Sequence, residues 1–135
     1  MSEKKRKDKL VLEVNDDLYN TISGAVEAMN ARFLSESNGP CIDILAPTRS
    51  RVLSAPRVNG KRMIVLKGDE QRNHILNALY DYIRIHESDA NMTADEKRMF
   101  IRYADAYNTV LEIPTQREYR REQKAALRDR CQAER

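Results

Sequence analysis

The sequence predicts an α+β domain: a small, mostly antiparallel sheet in the order β-α-β-β-β, packed with a helical hairpin and followed by a basic C-terminal helix. Three patterns carry that expectation. Residues 9–14 put Leu10, Leu12 and Val14 at every second position, on one face of a strand. Leu18, Ile22, Val26, Met29 and Phe33 then recur at the spacing of one helix face. Asn59-Gly60 is the dipeptide favoured in a two-residue type I′ hairpin turn, where both central residues need positive φ. The expected boundaries are a flexible basic tail over residues 1–8, a single domain over 9–113 and the terminal helix over 114–135.

In the first strand Leu10, Leu12 and Val14 share one face, with Val11 and Glu13 on the other. Asn15 or Asp16 caps the helix that follows, Glu27 and Arg32 turn towards water, and Asn38-Gly39-Pro40 supplies its stop near Ser37. Cys41 to Ala46 reads as a second short strand ended by Pro47. The turn at Asn59-Gly60 sets a register in which Val58 opposes Lys61, Arg57 opposes Arg62, and the ladder continues through Pro56–Met63 to Leu53–Leu66. Pro56 cannot donate to a ladder, so that strand is expected at an edge or broken near its middle.

Past Gly68-Asp69 a helix is marked by Ile75, Leu76, Leu79, Tyr80 and Ile83, with Tyr82 and Ile85 widening the apolar stripe. Thr93-Ala94-Asp95-Glu96 is a capping box opening the next helix, which carries Met99, Phe100, Tyr103, Ala106, Tyr107, Val110 and Leu111. These two are expected to pair antiparallel. Pro114 stops the second, and Thr115-Gln116-Arg117-Glu118 opens a last helix whose apolar positions after Tyr119 are only Ala125, Ala126, Leu127, Cys131 and Ala133. With so little to bury, it is expected to project from the body, dock weakly or meet a partner.

At 135 residues the chain is long enough to bury a core without disulfides or metal. The net charge of +3 hides a segregation: residues 1–9 carry +3, 10–46 carry −5, 47–67 carry +6, 68–113 carry −4 and 114–135 carry +3. Two distant cysteines without a CxxC fit a reduced, cytoplasmic chain, and no apolar run or leader pattern points to a membrane or to export. Eight aromatics and no Trp argue against a broad base-stacking platform.

The block from Pro47 to Lys67 contains six cations and no Asp or Glu. A one-sided cationic hairpin repels itself unless an anion lies on it, and Arg57 directly opposite Arg62 costs about 0.2–1 kcal/mol. The expectation is therefore a non-enzymatic binding protein for nucleic acid or another phosphate-rich polyanion, with Arg49, Arg51, Arg57, Lys61 and Arg62 as its contacts. Arg117, Arg120, Arg121 and Lys124 of the terminal helix would assist, with backbone phosphate rather than base edges recognised. Arginines splaying into water over apolar neighbours give the plainer account of the same residues. Two alternatives use the same side chains: a regulatory or inhibitory protein gripping an acidic protein surface, or an oligomer sequestering a phosphorylated nucleotide. A homo-oligomer is expected, because the tyrosine-bearing helices and the edge-prone hairpin offer more apolar surface than a small sheet covers.

Catalytic and metal patterns are weak, and no cofactor is expected. His74 and His86 stand twelve residues apart on one helix, too far to share a metal within it. Asp43 and Lys67 match parts of a nuclease centre, but Val65 stands where its second acid is needed. Asp89, Asn91, Thr93 and Asp95 alternate as calcium-loop ligands do, yet Ala94 replaces the required glycine and Phe100 the bidentate glutamate. No glycine-rich phosphate loop is present. Metal-free RNA cleavage by arginine, lysine, tyrosine and histidine side chains leaves almost no sequence signature and stays open.

Overall fold

The computed structural model describes residues 10–113, 121 and 124–129. Within them the strands are β1 (Leu10–Val14), β2 (Arg57–Val58) and β3 (Lys61–Leu66), and the helices are α1 (Asp16–Ser35), α2 (Gly39–Leu53), α3 (Asp69–His86) and α4 (Ala94–Leu111). Residues 121 and 124–129 are helical and exposed. The fold is α+β as expected, but its sheet is smaller. It has three antiparallel strands in the order β1-β3-β2, with Leu12 opposite Ile64 and Arg57 opposite Arg62.

The first strand and helix follow their patterns. Leu10, Leu12 and Val14 are buried while Val11 and Glu13 are exposed. Asn15 caps α1 by accepting from the Leu18 N–H at 2.8 Å, and Asp16 and Asp17 lie in the first turn, where the helix dipole favours negative charge. Ile22 and Val26 are fully buried, with Leu18, Met29 and Phe33 packed against the same core. Glu27 and Arg32, expected in open water, both form ion pairs with other elements.

The stop of α1 lies two residues earlier than expected. Ser37, at φ 51°, is the left-handed residue, and the Asn38 and Ser37 N–H groups return to the Phe33 and Leu34 carbonyls in a Schellman arrangement. Asn38 then starts a new helix, its side chain accepting from the Cys41 N–H at 3.2 Å, with Pro40 in the first turn where a missing N–H does no harm. The strand expected over Cys41 to Ala46 is therefore the first half of α2.

Pro47 caused that misreading. A proline inside a helix costs about 3 kcal/mol and reads as a stop. Here its ring is exposed, and Leu45, Thr48 and Val52, spaced by three and four, bury the opposite face. The Tyr19 hydroxyl also donates to the Val52 carbonyl at 2.9 Å, fixing the end of α2 against α1.

Because the chain is helical to Leu53, the hairpin has a short first arm. Asn59 and Gly60 adopt φ of 52° and 80°, as a type I′ turn requires. The Val58–Lys61 and Arg57–Arg62 pairs form, and the Met63 N–H bonds to the Pro56 carbonyl at 2.9 Å. The ladder expected from Ala55–Ile64 to Leu53–Leu66 does not form, since Leu53 still belongs to α2 and Ser54 caps it, and β3 pairs over that stretch with β1.

Helices α3 and α4 form the expected antiparallel hairpin, seen in the reversed order of their contacts. Arg72 donates to the Leu111 carbonyl at 2.8 Å, Tyr80 meets Tyr107, Tyr82 stacks on Tyr103 with centroids 4.3 Å apart, and His86 comes near Glu96. Half of the capping box forms as expected, the Thr93 hydroxyl accepting from the Glu96 N–H, while the Glu96 carboxylate accepts from that hydroxyl rather than from the Thr93 N–H, each bond at 3.1 Å. The second capping box, at Thr115–Glu118, falls outside the described residues.

Burial pushes the Tyr103 phenol above its ordinary pKa, with the neighbouring Tyr82 adding to the shift. Such a phenol stays protonated in the fold at a pH where the unfolded chain ionises. Its stabilisation is thus present below about pH 10 and lost as pH rises beyond it. Denaturant titrations between pH 8 and 11.5 should show an alkaline loss of stability that is shallower in Tyr103→Phe, which keeps the stacked ring and removes the ionising group.

Candidate interaction surface

The basic block is split by the fold it sits in. Arg49 and Arg51 are both on α2, and a two-residue step of about 200° sends them to opposite sides of the helix. Arg49 faces α1, where its guanidinium grips both oxygens of Glu27. That contact raises the Arg49 pKa above its ordinary value, first through the hydrogen bond and then through the charge of Glu27. Arg51 is exposed and has no side-chain partner among the described residues.

The hairpin cations also diverge. Arg57 reaches Asp16 at the start of α1, with Nη2 2.9 Å from Oδ1. Lys61 lies on the outer sheet face and meets Glu13 of β1 at 3.7 Å. Arg62 turns inward, its guanidinium 4.8 Å from the Tyr19 ring centroid, and donates to the Ala55 carbonyl at 3.0 Å. The Arg57–Arg62 repulsion is relieved by this parting, one side chain going to a carboxylate and the other to an aromatic face. Four of the five cations expected in the block thus have partners inside the chain.

Of the four expected contacts in the terminal region, Arg121 and Lys124 are helical and exposed, without a side-chain partner among the described residues. Arg117 and Arg120 fall outside the described residues.

The sequence reading missed a concave site. Met29 and Phe33 of α1, Cys41, Ile44 and Leu45 of α2, and His74 and Asn77 of α3 line a groove of about 260 Å³. Its walls are mostly apolar, with imidazole, amide and thiol groups as the polar points. Thr48, fully buried on the inner face of α2, is hydrogen-bonded to His74 Nδ1 at 2.7 Å, which fixes the imidazole on the α3 wall. Arg32 beside Phe33 binds Asp81 of α3 and lies 3.7 Å from Glu36, tying the end of α1 to α3. The hydrogen bond that Arg32 donates to Asp81 raises the Arg32 pKa, against the opposing effect of burial.

Two large apolar side chains are exposed in or next to the lining of the groove. Ile44 is 55 % exposed at its wall, and Leu34, which follows the lining Phe33 in sequence, is 58 % exposed. Arg51 stands seven residues after Ile44, two helical turns along the same face of α2. A signal for this surface was present in the sequence as Ile44, Leu45, Thr48, Arg51 and Val52, a helical period concealed by Pro47.

No family model matches the chain, and neither a curated protein nor a solved structure matches it. Among the described residues no helix is long and apolar enough to cross a membrane.

Thr48→Val keeps the side-chain shape and leaves His74 Nδ1 without its bond, so it should lower stability by about 1–2 kcal/mol in urea denaturation. An unchanged midpoint would mean that this bond does not hold the groove wall.

Proposed function

We propose that the chain is a small, non-enzymatic regulatory protein that binds a partner protein through the α1–α2 face. The partner presents an apolar side chain to the groove and a carboxylate to Arg51. The observation that carries this reading is the pairing on one helix face of exposed Ile44 with Arg51, the one cation of the expected hairpin set lacking an internal partner among the described residues. Apolar anchors seated in pockets and flanked by arginine are the usual energetic centre of protein interfaces. Arg49, Arg57 and Lys61 already meet carboxylates of the chain, so a phosphate backbone would have to displace them to gain contacts there.

A polyanion is the second reading, and it moves to the terminal region. Exposed Arg121 and Lys124, with the basic composition of residues 114–135, favour it. Recognition would be of phosphate, with affinity falling steeply as salt rises. Self-association is a third outcome, in which the partner is a second copy of the chain.

A photo-crosslinking residue placed at the exposed Leu34, next in sequence to the lining Phe33, tests the proposal in cell extract. The protein should capture a discrete partner, and the capture should fall at least tenfold with Ile44→Asp and several-fold with Arg51→Glu. Capture that ignores both changes, or copurifying nucleic acid that high salt removes, would overturn the protein-partner reading in favour of the second. A crosslinked dimer would identify the partner as another copy.

A further inference from the structure

The turn between α3 and α4 holds a cluster that the proposed interface does not use. His86 is the last residue of α3, Asp89 lies in the turn, and Glu96 is in the first turn of α4. One ligand atom from each of the three lies within 4.8 Å of the others. His86 Nδ1 is 4.0 Å from Asp89 Oδ2 and 3.9 Å from Glu96 Oε2. This nitrogen is buried from water and makes no hydrogen bond. A buried imidazole nitrogen normally has a partner, so its exposure to two carboxylates and nothing else requires an explanation.

The surroundings are arranged as a ligand set would be. The second oxygen of Asp89 accepts from the Asn91 N–H at 2.9 Å, and the second oxygen of Glu96 accepts from the Thr93 hydroxyl at 3.1 Å. Each carboxylate is therefore oriented through one oxygen while the other faces Nδ1, which is how outer partners aim metal ligands. The imidazole is held in turn by its stack on Tyr82, with centroids 4.4 Å apart, and Tyr82 rests on Tyr103.

From this geometry we infer that His86, Asp89 and Glu96 bind a divalent transition-metal ion of the zinc or cobalt class, with water completing the shell. One imidazole and two carboxylates suit that class. Metal–ligand bonds of about 2.0–2.2 Å set neighbouring donors about 3.3–3.5 Å apart, so the two carboxylates close on Nδ1 by about half an ångström when the ion enters. The ion fastens the end of α3 to the start of α4. It is a structural staple at the distal end of the helical hairpin, separate from the groove.

The test uses the full chain after treatment with a chelator and dialysis. Addition of Zn²⁺ should raise the thermal midpoint and shift the His86 imidazole nitrogen resonances in ¹⁵N-detected NMR. With free metal at 100 times the dissociation constant, the unfolding constant should fall about 100-fold. Asp89→Asn combined with Glu96→Gln is the informative variant, because Asn keeps the turn bond and Gln keeps the capping box while both anionic donors are lost. The inference stands if that variant folds and no longer shows the His86 shift or the stabilisation. Zn²⁺ that leaves the His86 resonances unmoved overturns it, as does an equal response in the variant.

Discussion

The carboxylates of β1 and α1 govern where the basic residues of this chain point. Glu13, Asp16 and Glu27 each meet one cation of the segment that contains no acid of its own, and Tyr19 takes a fourth on its ring. None of these contacts is deeply buried, and exposed ion pairs contribute little stability singly, about 0–1 kcal/mol at the median. Their effect is one of arrangement. They hold four cations to four different partners on β1 and α1, so that a charge block continuous in sequence is divided by the fold.

Stability comes from elsewhere. Ile22, Val26, Val52, Ile64, Leu66, Ile75, Leu79 and Val110 are fully buried and draw together both helical pairs and the inner face of the sheet. Apolar burial of this kind is non-directional, which leaves polar contacts to set the details. Arg72 illustrates the point: it is itself buried and donates to the Leu111 carbonyl, closing the far end of α4 against the start of α3. The same division of labour shapes the groove, where an apolar wall is held in place by the Thr48–His74 and Arg32–Asp81 contacts.

What the sequence could reveal depended on how far each signal reaches along the chain. Period-two alternation in β1, the apolar stripe of α1, the Asn59-Gly60 turn and the Thr93 N-cap act within a few residues, and each appears as its pattern requires. The helix over 39–53 was hidden because Pro47 is a strong local veto, whereas the burial of Leu45, Thr48 and Val52 that outweighs it is a tertiary fact. The neutralised cations failed for a related reason. A window over residues 47–67 lacks acids, but the acids that answer it are supplied by residues 13–27 through the fold. His86, Asp89 and Glu96 were each visible in isolation, and only the reversal of direction between α3 and α4 brings them together.

The most direct test of this internal neutralisation is elution from a heparin column. Glu13→Gln, Asp16→Asn and Glu27→Gln made together remove the answering acids, and Asp43→Asn, Glu87→Gln and Glu112→Gln make a control of equal net charge. The account predicts that the first variant elutes at clearly higher salt than the control, because only there are Lys61, Arg57 and Arg49 released to the polyanion. Equal elution of the two variants would show that those cations were available all along, and would contradict it.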